Sequence, residues 1–179
     1  MLAAALTTLG LSYSPISQAK VTGADIYETT LKSTPLYQDP ALDAYIKKLG
    51  EEIVAVSEMA GEKFTFTLLD SEDLNAFATR DNYIYVNRGL LNYVSNEAQL
   101  VSVLAHEVGH VTRGHVTGQE ERMTGAKILS TLAAVLSNSN EVYEASMAYA
   151  NSMIQSHGRR NELEADETGA EYMAKLGYD

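Results

Sequence analysis

Residues 106–110 read His-Glu-Val-Gly-His, and this stretch constrains the fold more than any other in the chain. Two histidines four residues apart lie one helical turn apart, so both rings project from the same face and can grip one metal ion. Glu107 lies about 100° further round the helix, where it reaches a water on the metal more easily than the metal itself. The motif therefore demands a helix, and its flanks supply one. Leu100, Val103, Leu104, Val108 and Val111 recur at steps of three and four, which makes one buried stripe. Ser95 or Asn96 caps the start, and Glu97 adds an acidic first turn. Gly109 costs roughly 1 kcal/mol relative to Ala in a helix interior, but it lets another backbone approach closely. His106 and His110 fall beside the stripe and should face a cleft at the edge of the core. On the motif alone, two ordinary helix histidines around a glutamate remain an alternative, because short motifs also arise by chance.

Catalytic zinc usually has three protein ligands and one open position, so a third donor is needed. His115 follows His106 by nine residues, about half a turn away in azimuth, and should point into the core or cap the helix end. Glu162 is the better candidate. Residues 159–176 read as a helix on which Glu162, Asp166, Gly169, Met173 and Leu176 share one face. Acids on an inward face need a reason, since unpaired buried charge is costly. Glu162 as a metal ligand, with Asp166 accepting the free N–H of a ligand histidine, supplies it. The residues alone leave open whether that histidine is His106 or His110; resemblance to two-histidine, one-glutamate peptidases favours His106. Glu164, Glu167, Glu171 and Lys175 lie on the opposite face and read as solvated surface, with a Glu171–Lys175 pair.

His-Glu-x-x-His followed by Glu-x-x-Ala-Asp resembles the zinc metallopeptidase family of the CAAX prenyl proteases and HtpX heat-shock proteases, and in particular its soluble bacterial periplasmic branch. Residues 75–78, Asn-Ala-Phe-Ala, and 83–91, Tyr-Ile-Tyr-Val-Asn-Arg-Gly-Leu-Leu, are also similar to that branch. The resemblance covers roughly residues 26–179. It implies one Zn²⁺ per chain on His106, His110 and Glu162, with Glu107 as the catalytic residue and Asp166 as the supporting aspartate. It also implies a periplasmic endopeptidase acting on polypeptides, including misfolded or unassembled envelope proteins. The chain departs from the family pattern at Arg80-Asp81-Asn82, where Gly-Gly is common. Several relatives continue past a Gly-Tyr-Asp-Pro segment into helical repeats, so a catalytic core cut from a longer protein is consistent with the likeness.

A length of 179 residues suits one domain. The net charge of −11 argues against nucleic acid and anionic membrane surfaces as partners. With no cysteine, disulfides and thiolate metal sites are excluded. Residues 2–11 are apolar, and Ser17-Gln18-Ala19 offers small residues at a cleavage site. Residues 1–19 thus read as a secretory signal peptide without its basic n-region, or as a plain apolar helix, and residues 20–179 as the catalytic domain. No later segment reaches the roughly 20 apolar residues of a membrane span; 128–136 is the longest candidate.

Residues 41–58 carry a helical period, 64–68 alternate as a strand, and 76–79 with 83–87 flank a polar turn as a β-hairpin. Residues 118–157 read as mostly helical with a break near 137–140, a wall between the two halves of the site. The expected fold is α+β: a mainly helical zincin-type core with a small sheet whose hairpin lies beside the active-site helix. Asn75, Ala76, Phe77 and Ala78 are candidates for holding substrate as an added strand, with ordinary sheet packing as the alternative. The expected chemistry is zinc-assisted peptide hydrolysis, with Glu107 taking the proton of the attacking water. Arg159, Tyr149 and His157 are candidate oxyanion donors among which the sequence does not choose. The rival from another class is a chaperone or assembly module with a latent zinc site.

Overall fold

Segments with a strong apolar period become packed elements, and they begin where the sequence supplies a cap. The computed structural model describes residues 21–116 and 140–178. The expectations for residues 1–19 and 128–136, and for the break near 137–140, lie outside the described residues or largely so. In chain order the described elements are α1 (Gly23–Ser33), α2 (Pro40–Ala55), β1 (Thr65–Leu69), β2 (Ala76–Thr79), β3 (Tyr83–Asn87), α3 (Arg88–Leu91), α4 (Glu97–Thr112) and α5 (Asn140–Lys175). The architecture is α+β, with a three-stranded mixed sheet.

Three helices start on side-chain caps. Thr22 and Asp25 form a reciprocal capping box at α1. Asp39 accepts from the Leu42 N–H, with Pro40 at the first helical position of α2. Asn96 accepts from the Gln99 N–H at α4. Helix α2 ends at Ala55, three residues short of the expected boundary, and Ser57 Oγ donates to the Val54 carbonyl just beyond it. Helix α1 was not foreseen. Only Gly23 is buried in it, so it carries little apolar period to read.

The strand order is β1-β3-β2, with β1 parallel and β2 antiparallel to β3. Strand β3 is central and alternates. Ile84 and Val86 join the core with Ile46, Leu49 and Ile53 of α2 and Leu100, Val101, Leu104 and Val108 of α4. Tyr83 and Tyr85 face the other way, where Tyr27 of α1 packs on both rings. Each fully buried Ile or Leu contributes about 1.5–3 kcal/mol, so this layer holds α4 rigidly. Arg80, Asp81 and Asn82 connect β2 to β3. Asp81 and Asn82 have φ of 59° and 64°, a left-handed conformation that Asp and Asn adopt more readily than other non-glycine residues. Asp81 also accepts from the Gly23 N–H.

Helix α5 crosses α4 along a seam that holds the buried Ala165 and Tyr172, a few hydrogen bonds and two glycines. A Cβ on Gly109 would meet Ala165 O at 3.1 Å, and one on Gly169 would meet His106 N at 3.1 Å. Each helix thus offers a bare backbone to the other. Arg113 Nε donates to Thr168 Oγ1 at 2.9 Å, and Tyr172 OH lies 2.9 Å from Thr112 Oγ1 and donates to Glu58. Lys175 Nζ donates to the Val56 carbonyl rather than pairing with Glu171. None of the described helices is long and apolar enough to cross a membrane.

Candidate metal centre

One helical turn separates His106 from His110 on α4, and their Nε2 atoms lie 3.0 Å apart. Glu162 reaches over from α5. Its Oε2 is 3.4 Å from His106 Nε2 and its Oε1 is 3.4 Å from His110 Nε2. A tetrahedral ion with bonds of 2.0–2.1 Å has donor–donor edges of about 3.3 Å. Each spacing in this triangle of side chains is therefore close to such an edge, the two Glu162 spacings ending on different oxygens of its carboxylate. Among the described residues, these three form the group of His, Asp and Glu side chains that could hold one ion. Two imidazole nitrogens and one carboxylate, with no fourth donor in the group among the described residues, fit zinc with an open position. Burial holds the His110 imidazole below its usual range, opposed by the charge of Glu162 and reinforced by His106 and His115.

The outward nitrogens of the two rings have different neighbours. His106 Nδ1 lies 2.8 Å from Asp166 Oδ1, one turn beyond Glu162 on α5. His110 Nδ1 lies 3.1 Å from His115 Nδ1, and His115 Nε2 lies 3.3 Å from Glu164 Oε2. Counting azimuth along an unbroken helix placed His115 away from the motif. The helix in fact ends at Thr112, and Gly114 follows with φ of 70°. That turn folds His115 back against His110, where it is buried. Glu164, expected as plain surface, is half-exposed but touches His115. The glycine directly before His115 was the available signal.

Glu162 and Asp166 do not sit on an inward face. Their side chains are 60% and 68% exposed, against 24% and 15% for His106 and His110. The acids hang over the rim of the cleft, so no buried charge has to be compensated.

Glu107 is buried beside the triangle. Burial pushes its carboxyl up to about 7, the negative charge of Glu162 adds to this, and a hydrogen bond from the Ala78 backbone opposes it. That bond follows from strand parity. Asn87 N–H donates to Asn75 O, so in this register Phe77 and Thr79 bond to β3 while Ala76 and Ala78 turn their backbone groups to the outer edge. Strand β2 is paired on one side only. Asn75, Ala76, Phe77 and Ala78 line one wall of a cleft of about 530 Å³, and His106, Glu107, His110, His115 and Glu162 line the rest. The Phe77 ring itself stacks on Tyr85, 4.8 Å between centroids. Arg159 is exposed near the start of the described side chains of α5, and those of Tyr149 and His157 lie outside the described part.

The family model for peptidase family M48 matches residues 40–179, and the chain belongs to that family. It is 32% identical to the beta-barrel assembly-enhancing protease of Yersinia pestis, over 97% of this chain and 37% of that protein. The enzyme of the same name from Escherichia coli K12 is 30% identical over 87% of this chain and 34% of its own length. A mitochondrial metalloendopeptidase OMA1 of Arabidopsis thaliana is 28% identical over 83% of this chain and 30% of its own length. The chain thus spans about a third of the length of these relatives. The family and the names of these relatives are those of metallopeptidases.

Proposed function

We propose that residues 20–179 are a zinc-dependent endopeptidase domain with a zincin-type core, holding one Zn²⁺ on His106, His110 and Glu162. The observation that carries this reading is the convergence of His106, His110 and Glu162, whose donor atoms, one from each residue, lie within 4.8 Å of one another, with no fourth donor in the group among the described residues. When bound, zinc supplies Lewis acidity towards a scissile carbonyl and makes water more acidic. Glu107 takes the proton of the attacking water and passes it to the leaving amine. A carboxyl whose burial raises it to about 7 suits both halves of that task. Asp166 accepts the Nδ1–H of His106 and fixes the ring with Nε2 turned inward.

Substrate lies as an added strand along the β2 hairpin edge. Because the Ala78 N–H already serves Glu107, the backbone of Ala76 is the free register point for the peptide. The names of the bacterial relatives, beta-barrel assembly-enhancing proteases, favour polypeptide substrates. Action in the periplasm on envelope proteins, after removal of residues 1–19 as a signal peptide, is the reading that the apolar start of the chain adds. Metal analysis tests the site. The native chain should hold one zinc, His110→Ala none, and Glu162→Ala should fall well short of full occupancy. A fully occupied Glu162→Ala variant would refute the three-donor assignment.

A further inference from the structure

We propose that His115 and Glu164 form a positioning relay for His110, the counterpart of Asp166 on His106; this rests on the zinc reading above. A histidine that gives Nε2 to a metal must carry its proton on Nδ1, and that N–H needs an acceptor to fix tautomer and ring angle. His106 has the Asp166 carboxylate at 2.8 Å. For His110 the atom in reach is His115 Nδ1, at 3.1 Å. The ring centroids lie 5.2 Å apart with the planes at 72°, a separation compatible with the two nitrogens meeting at the ring edges.

His115 can accept on Nδ1 only as the tautomer protonated on Nε2. That Nε2–H faces Glu164 Oε2 at 3.3 Å, so the carboxylate selects the tautomer that His110 needs. Both nitrogens of a buried imidazole are thereby satisfied. Each metal-facing histidine is then backed by a carboxylate of α5: directly by Asp166, and through one imidazole by Glu164. The last turn of α4 and its Gly114 reversal become part of the metal site rather than mere helix termination.

Zinc affinity, read by chelator competition on folded protein, tests this, with the absorption of the Co²⁺-loaded chain as a report on ligand geometry. His115→Phe fills the same space without an acceptor and should weaken zinc binding by ~10–100-fold. His115→Gln can accept from His110 and donate to Glu164, and should recover most of the loss and the native Co²⁺ spectrum. A purely structural His115 would not be rescued in affinity by an amide. Should His115→Phe fail to fold, the exposed partner decides: Glu164→Ala should weaken zinc binding and Glu164→Gln, still an acceptor, should restore it. Native affinity in folded His115→Phe, or in Glu164→Ala, overturns the relay while leaving the zinc reading intact. A native chain that takes up no zinc overturns both.

Discussion

Helix α4 brings His106, Glu107 and His110 to the cleft from the edge of a face that is otherwise core, whereas α5 brings Glu162 and Asp166 from a face open to solvent. Around the motif, Leu104, Ala105 and Val108 are fully buried. Around the acids, only Ala165, Thr168, Gly169 and Tyr172 are buried, and all of them lie on the seam with α4. One half of the site thus stands at the edge of a core-packed face, and the other on the exposed side of a helix that is held to α4 by the glycine crossing, a few hydrogen bonds and the buried Tyr172. A metal held between them ties the exposed face of α5 to the core-packed α4. The centre should therefore fail in different ways according to which helix is altered.

The largest contrast concerns charge on the buried side. The folded Glu107 carboxyl is raised to about 7 from its ordinary 4.5, so the folded chain binds more protons than the unfolded chain between those values. The stability this contributes is fully present below about pH 4.5 and is lost as pH rises through 7. In metal-free protein, the native chain should therefore lose about 2–3 kcal/mol relative to Glu107→Gln between pH 4 and pH 8. Denaturant melts across that range check it, and parallel stability curves would contradict it.

On the open side the effect moves from stability to affinity. Asp166→Asn should leave the fold and its stability near native and weaken zinc binding by ~10–100-fold. Chelator competition measures this. An unchanged affinity would mean that the 2.8 Å contact with His106 does not orient the ring.

The smallest effect separates seam from surface within α5. A Cβ at Gly158 meets nothing within 4 Å, whereas one at Gly169 meets the backbone of Ala105 and His106 at 3.1–3.3 Å. Gly158→Ala should stabilise the chain by up to about 1 kcal/mol through helix propensity. Gly169→Ala forgoes that gain, because crowding of about 1–3 kcal/mol opposes it. It should also loosen zinc by moving Glu162 off the histidines. Equal thermal shifts in the two variants would show that the glycine crossing does not set the helix spacing.

The same contrast explains what could be read from residues alone. Spacing within one helix is written in sequence, so His106, Glu107 and His110 and the shared face of Glu162 and Asp166 were legible, as were the strands at Ala76–Thr79 and Tyr83–Asn87. Relations that cross a chain reversal are not. His115 is buried and outside the donor group, as the spacing implies, but its contact with His110 and that of Glu164 with it depend on the reversal at Gly114 and are not visible in the spacing. The burial of the acids was also misread, since a shared helical face does not say whether that face meets core or rim. The Ala78–Glu107 bond depends on strand parity against β3, which no local pattern reveals.

The central claim is that this centre performs hydrolysis and does not merely bind metal. Casein cleavage by the zinc-loaded native chain and by Glu107→Gln, each with its zinc content determined on the same sample, tests that claim most directly. Both should hold one zinc, and the variant should cleave at least ~10²–10⁴-fold more slowly, because an amide cannot accept the proton. Cleavage by the variant at a near-native rate would remove Glu107 from its role, and zinc-loaded native chain that cleaves nothing would favour a non-catalytic assembly module instead.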